Sequence, residues 1–383
     1  MPLSCSGVRS VSKGVWEAGV EWGSCHFRLS GNDPTDRLWL EDFLTPWFVF
    51  GDHCRGKHIR LWHDDEAYRR ATEEMEASSA SPRNCFSLDS QLIMKPGWTT
   101  SGRTTVFDEI RMCFYQVVDD EITLLTRVGS VAARVPLVRT LRELAWQRSC
   151  QKMMALHSSA LVFAGQTFLI LGPKKAGKTT LLSYLLNSTE ANFLSNDWVM
   201  LERSHPGEVI ARGVPTVIRV REGTQELISQ LKLGLDTSSR FITHSNDEKS
   251  TLILPSPPPG PAGEVFLSPA EFSRTLKSRP VASAPLGGLL FPVKRDDGSF
   301  RTRVLSHVEA MPRIRECLYG LPGSRPATTV FGEPCKEGEA EELESWVGNV
   351  PCWEVTLSTQ AFDSTEAALE ILSRVSLPGV HSA

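Results

Sequence analysis

This chain of 383 residues has neither a long apolar run nor a surplus of one charge. No uninterrupted hydrophobic stretch is long enough to cross a bilayer as a helix, so the signature of a helical membrane protein is missing. The formal net charge of −4 leaves no basic footprint for nucleic acid. The opening MPLSCSGVRSVSKGVWEAG has no apolar core of the kind a secretory signal carries. No CxxC pair occurs among the nine cysteines, an odd number, which argues against a disulfide frame. The expectation is a cytoplasmic protein with reduced thiols. No internal repeat is visible. What remains, at 41% hydrophobic and 22% charged, is the composition of a globular chain, long enough for one large domain or two ordinary ones.

The stretch GDHCRGKHIRLWH crowds His53, Cys54, His58 and His63 together. Imidazole and thiolate are good zinc ligands. This spacing matches no zinc pattern, and basic residues interleave the candidates, so a polar loop and strand is expected.

Residues 1–104 are rich in tryptophan, show little regular patterning and receive no fold assignment. Within them EAYRRATEEMEA predicts a helix, and the Ser/Pro run that follows predicts a loop. Two strands are predicted from TTVFDEIRMCFYQVV and EITLLTRVG, with a turn at Asp119 and Asp120. In VPLVRTLRELAWQRSCQKMM, Leu137, Val138, Leu141, Leu144 and Ala145 share one helical face, with arginines elsewhere. Short β-rich runs follow, LHSSALVFAG and QTFLILG, then NFLSNDWVMLE as one further strand. LPSPPPGPAG predicts a loop or hinge and CWEVTL a strand. The last helix is predicted from DSTEAALEILSRV, with Asp363 and Glu366 spaced as a capping box. This order predicts an α/β domain on a mixed sheet over residues 105–375.

The residues Gly172-Pro-Lys-Lys-Ala-Gly177-Lys178-Thr179 satisfy GxxxxGK[ST], with apolar TFLIL before them and TTLLSYLL after. Each fixed position has a physical reason. Gly172 and Gly177 permit backbone angles and close approach that a Cβ would obstruct. Loop amides and the start of the following helix then face an anion. Lys178 reaches the β- and γ-phosphates, and the Thr179 hydroxyl is a ligand for Mg²⁺. Lys174 and Lys175 lie where the loop sequence is free and add mostly solvated charge, with some attraction for phosphate. Gly172, Lys175, Ala176, Gly177, Lys178, Thr179 and Thr180 form the expected nucleotide-binding set. Neither an ABC-type signature nor the NKxD guanine element follows.

His157 opens the strand before the loop, Asn196-Asp197 lies in the strand after it, and Arg212-Gly213 comes later in VIARGVPTVIRV. In this arrangement the chain resembles the bacterial HPr serine kinase/phosphorylase family and its relatives, which share a fold with phosphoenolpyruvate carboxykinases. EVFLSPAEFSRTL, APLGGLLFPV and VPCWEVTL are similar to the tails of such proteins. The resemblance spans about residues 105–375 and is most specific over 155–220. It implies a carboxykinase-like mixed sheet behind an N-terminal extension, and transfer of the γ-phosphoryl group of ATP to a hydroxyl, usually serine. It also implies Lys178 on the phosphates and Thr179 and Asp197 on Mg²⁺. His157 would stand by the catalytic acid, and Arg212 would join the nucleotide set. The acceptor would be a protein, a peptide or a small molecule, and self-association is expected. No membrane or nucleic-acid partner is.

Two positions depart from that pattern. Asn196 replaces the first Asp of the pair, and an amide is no general base. Asp197 is then left to serve as metal ligand and base together, and a binding protein with weakened or lost transfer is the alternative. Ile210 stands where the bifunctional enzymes carry Glu, so the expectation is a related kinase rather than HPr kinase proper. A carboxykinase acting on oxaloacetate is less favoured, because its substrate and metal residues are not recognisable.

Overall fold

The computed structural model describes residues 14–53, 55–77, 83–87, 90–100, 103–108, 111–149, 153–205, 207–220, 224, 227, 265–294, 301–318, 343–357 and 365–376. The chain is mixed α/β and falls into two compact units. The first comprises Met1–Ala145 with two short later segments, and the second comprises Trp146–Thr243, Ser256–Pro326 and Pro334–Ala383. No helix among the described residues is long and apolar enough to cross a membrane.

The first unit is built on nine strands: β1 Trp16–Trp22, β2 Cys25–Gly31, β3 Val49–Gly51, β4 Lys57–His63, β5 Arg83–Ser87, β6 Ser90–Thr100, β7 Arg103–Asp108, β8 Cys113–Val118 and β9 Glu121–Thr126. Their order across the sheet is β3-β1-β2-β4-β9-β8-β7-β6-β5, with β4 parallel to both β2 and β9. Helix α1 (Pro34–Leu44) follows β2, and α2 (Asp65–Ala77) follows β4. Asp33 caps α1 by accepting from the Thr35 N–H, and a proline opens the helix. The apolar edge of α2, Tyr68, Ala71 and Met75, packs with Phe107, Phe114 and Leu125 of the sheet.

Several expectations meet a different outcome here. The tryptophan-rich start is strand, not irregular, and its alternation was hidden because most of β1 is buried on both faces. TTVFDEIRMCFYQVV is two strands, β7 and β8, with a turn at Arg111 and Met112 between them. The sheet runs on past residue 104, because β9 hydrogen-bonds to β4 and β8 to β9. The compact unit therefore ends near Ala145, in the last turns of α3 (Arg134–Ser149). That helix buries Arg139, Arg142 and Glu143 as well as its apolar face.

The second unit carries β10 Met153–Phe163, β11 Gln166–Leu171, β12 Asn192–Ser195, β13 Trp198–His205, β14 Glu208–Val214, β17 Ser283–Lys294, β18 Arg301–Leu305 and β19 Cys352–Leu357 in an eight-stranded sheet. The order is β11-β10-β13-β14-β17-β19-β18, with β12 on β10. The long β17 pairs β14 through residues 283–285 and then runs parallel to β11 and β19, so that β11, β10, β13, β14 and β17 join in a ring. A separate pair is formed by β15 Ile218–Val220 and β16 Val265–Leu267. Helices α4 Lys178–Ser188, α5 Pro269–Thr275, α6 His307–Arg315, α7 Leu343–Val347 and α8 Thr365–Ser376 complete the unit. Ser268 and Glu271 form a capping box on α5, and Ser306 and Glu309 one on α6. The Pro-rich segment and Asp363 lie outside the described residues.

The sheet core includes Leu156, Ala160, Leu169, Leu171, Leu194, Val199, Leu201, Leu289 and Phe291. Helix α4 buries Leu181, Leu182, Tyr184, Leu185 and Leu186. Burial pushes the Tyr184 phenol up to about 12, against a hydrogen bond with the Ala368 backbone. The strand before the glycine-lysine loop and the helix after it are thus both anchored in core.

Candidate functional site

The backbone of the loop takes forms that its glycines allow. Gly172 leaves β11 with φ 150, and a Cβ there would lie 3.1 Å from the Ala176 Cβ. Lys175 (φ 72) and Gly177 (φ 97) are left-handed, and Gly177 caps α4 with no side-chain hydrogen bond to its first amides. Lys178, 9% exposed, folds back and donates to the Gly172 carbonyl at 2.8 Å and the Pro173 carbonyl at 3.2 Å. An ammonium has three donors and no acceptor, so the loop encloses a cation at the start of a helix.

NFLSNDWVMLE is not one strand. It breaks at Asn196 and Asp197, which form a turn between β12 and β13, in keeping with the turn preference of both residues. The turn is pinned to β10: the Ser158 N–H donates to the Asp197 carbonyl at 3.0 Å, and the Ser159 hydroxyl to the Asn196 carbonyl at 2.5 Å. Their side chains then diverge. The Asn196 Oδ1 accepts from the Thr179 hydroxyl at 3.1 Å. The Asp197 Oδ1 lies 2.8 Å from the His157 Nε2, with the two side chains 37% and 38% exposed. Thr180 and Thr224 hydroxyls meet at 3.1 Å.

These groups line one cavity of about 470 Å³, together with Lys174, Lys175, Gly177, Lys178, Thr179, Val217, Arg219 and Lys294. The structure therefore brings His157, Lys175, Gly177, Lys178, Thr179, Thr180 and Asp197 together. Gly172 and Ala176 shape the loop without lining the cavity, and Arg212 is apart from it. Arg212 sits on β14 with its Nε 2.5 Å from the Glu202 Oε2 on β13. Val217, Arg219, Thr224 and Lys294 were not foreseen. The one hint in the sequence is a basic residue at the end of each apolar run, VPTVIR and GLLFPVK.

Buried under the loop, Cys317 accepts the His157 N–H on its carbonyl at 2.8 Å. Burial pushes its thiol up, although the Gly172 backbone and the Lys178 charge oppose the shift. The sulfur therefore stays protonated and is a poor nucleophile.

The donors fit a magnesium–nucleotide pair. A hydroxyl (Thr179) and a carboxylate (Asp197) are the hard oxygen ligands magnesium prefers, and the Cβ-free bend at Gly172 leaves the loop room to cradle an anion. Elsewhere, Asp33, Asp36 and His63 place possible ligand atoms within 4.8 Å of one another. Asp36 is already satisfied, by the His63 Nε2 at 2.6 Å and the Arg134 Nε at 2.7 Å. His58, on the same strand as His63, instead meets Ser30 and Glu121 at 2.8 and 3.0 Å. His58 and His63 thus belong to two separate structural networks, and Cys54 lies outside the described residues.

No protein family and no curated protein matches this sequence. Among solved structures, the Hpr(Ser) kinase/phosphatase from Coxiella burnetii aligns over 59% of this chain and 99% of that one, with 11% identity and a TM-score of 0.26. A likeness at that level leaves the chemistry to be read from the chain's own side chains.

Proposed function

We propose that this chain is an ATP- and Mg²⁺-dependent phosphotransferase of the HPr-kinase-related kind, acting on a hydroxyl. The observation that carries the reading is the His157–Asp197 pair, 2.8 Å apart, in the same cavity as Lys178 and Thr179. When bound, Mg·ATP supplies the phosphoryl group and neutralises developing charge. Lys178 exchanges the loop carbonyls for phosphate oxygens, and the first amides of α4 face the same anion. Thr179 and Asp197 would hold the metal. With the Nε2 hydrogen directed at Asp197, the His157 Nδ1 is left to take the acceptor's proton. The new bond joins the acceptor oxygen to the γ-phosphorus, the bond to the β-phosphate oxygen breaks, and ADP leaves.

Incubation with γ-labelled ATP, Mg²⁺ and candidate hydroxyl acceptors tests this reading. Labelled acceptor with wild type and none with Lys178→Ala is the expected result. Failure of calorimetry to detect Mg·ATP uptake, or equal behaviour of Lys178→Ala in every assay, refutes it.

A second reading, a nucleotide-responsive binding protein, is favoured by Asn196, whose neutral amide occupies the place beside Thr179. Asn196→Asp discriminates. A gain in transfer of about 10²-fold or more supports a weakened site, because a general base is worth about 10²–10⁴. Clear wild-type transfer with little gain supports the His157–Asp197 pair as sufficient.

A further inference from the structure

The proposed base, His157, meets the Asp197 Oδ1 through its Nε2 at 2.8 Å, and its side chain is half-buried. One such bond fixes a point on the imidazole and leaves the ring free to turn about it, since the outer torsion of a histidine has a broad profile. Proton transfer needs more than a fixed point, because the accepting nitrogen must come within hydrogen-bond reach of the hydroxyl. A second contact must therefore set the plane of the ring.

Trp198 makes that contact from the neighbouring strand. It opens β13, one residue after Asp197, and lies opposite His157 of β10 in the antiparallel register. Opposed residues send their side chains to the same face of a sheet. The Ser158 N–H donates to the Asp197 carbonyl, while the His157 N–H turns away to the Cys317 carbonyl. His157 and Trp198 are therefore a pair without hydrogen bonds between their own backbones, the kind in which side chains stand closer. Their ring centroids are 5.6 Å apart, with the planes inclined at 38°, a separation typical of aromatic contact. Trp198 is buried and its backbone is held in turn. It pairs with Val214 of β14, and its carbonyl accepts from the Ser195 hydroxyl at 2.7 Å. His157 lines the cavity, whereas Trp198 is not among the lining residues. The indole thus bears on the cavity through the imidazole.

We infer that Trp198 is a positioning residue for phosphoryl transfer, an inference that rests on the phosphotransferase reading above. Its indole sets the plane of the His157 ring, so that Nδ1 addresses the acceptor hydroxyl while Nε2 stays on Asp197. The step itself is the one already described: the hydroxyl proton passes to Nδ1, the acceptor oxygen bonds to the γ-phosphorus, and ADP leaves. An aliphatic side chain at position 198 would leave the hydrogen bond to Asp197 in place but let the ring swing about it. A phenyl ring would keep the wall.

The test uses the full chain with Mg²⁺ and γ-labelled ATP. Turnover is read as label passed to candidate acceptors and as phosphate released to water, the acceptor present in every preparation. Trp198→Leu should lower kcat about 10- to 10²-fold, the scale of a small misplacement of a reacting group, with the KM for Mg·ATP within about threefold. Trp198→Met takes its place if the leucine variant does not fold. Trp198→Phe should stay within about threefold of wild type. In a His157→Gln background, Trp198→Leu should lower kcat by less than about a further twofold, because a residue that acts through the imidazole has nothing left to position. A general loss of packing would instead lower kcat equally in both backgrounds. That result overturns the inference while leaving phosphotransfer standing, as does Trp198→Leu at wild-type kcat. Histidine-ring NMR reads the geometry without any turnover. The His157 resonance, identified by its absence in His157→Gln, should move in Trp198→Leu and move less in Trp198→Phe. A resonance that Trp198→Leu leaves in place overturns the inference even where no acceptor is labelled. Absence of Mg·ATP uptake by calorimetry overturns the phosphotransferase reading itself and the inference with it.

Discussion

Replacing His157 with Gln separates catalysis from folding at this site. A glutamine amide can still donate to Asp197, so the 2.8 Å link has a substitute, but it cannot take a proton from an acceptor hydroxyl. The two side chains are 38% and 37% exposed, which places the contact among solvated polar pairs worth about 0–1 kcal/mol. The variant should therefore unfold within about 1 kcal/mol of wild type in urea. Loss of the proton acceptor should instead lower kcat by about 10²–10³, within the range typical of general-base help. The KM for Mg·ATP should change less than about threefold, because a group acting only in the transition state leaves ground-state binding alone. Steady-state phosphotransfer at saturating and limiting ATP measures kcat and KM, and circular dichroism in urea measures stability. A kcat within about fivefold of wild type, in a folded variant, refutes the assignment of the proton to His157.

Gly172→Ala should destabilise the chain by about 1–3 kcal/mol, since it puts a Cβ on a backbone at φ 150 and 3.1 Å from the Ala176 Cβ; chemical denaturation measures this, and calorimetry should show Mg·ATP affinity down about tenfold or more. His63 and His58 should push pH-dependent stability in opposite directions. For His63, burial lowers the imidazole's proton affinity but the Asp36 hydrogen bond and charge overcome it, so its folded value is raised. Its contribution is present below the unfolded value of about 6.5 and is lost as pH rises through the folded one. For His58, burial lowers proton affinity, Glu121 opposes, and the net shift is downward. The unfolded chain then takes up its proton first, and stability falls as pH drops below about 6.5. Denaturation midpoints between pH 5.5 and 8.5 (about one unit or more either side of the free imidazole value) should rise toward high pH in His63→Gln relative to wild type and toward low pH in His58→Gln. Parallel curves for the two variants contradict the assignments. Phe168→Ala, at a fully buried position of β11, should cost about 3–5 kcal/mol in the same assay.

The sequence revealed the fold only where its signals were local. Helix α2 was predictable because its buried residues, Tyr68, Ala71 and Met75, recur at helical spacing on an otherwise charged segment. The strand, turn and helix around Lys178 were legible for a similar reason: motif, apolar strand and apolar helix are contiguous. The first unit resisted reading. Its β1 is buried at nearly every position, which erases the alternation that marks a one-faced strand. The extent of its sheet depends on β4 pairing with β9, a contact that no local pattern encodes.

The site divides along the same line. Lys178 and Thr179 follow from spacing alone, whereas the partnership of His157 with Asp197 needed a resemblance to suggest it and a shared strand, β10, to create it. The broken strand at Asn196 shows why: apolar residues on both sides made NFLSNDWVMLE look continuous, yet a continuous strand would turn Asn196 and Asp197 to opposite faces of the sheet. The turn instead sends one side chain to Thr179 and the other to His157, and both stay on the cavity. That arrangement also bears on what Asn196 costs the protein. An aspartate there would add a second carboxylate to the cavity beside Thr179. The amide keeps the Thr179 hydrogen bond without that second charge. On the proposed reading the site thus lacks a carboxylate base at Asn196, and transfer then requires His157 to take the proton.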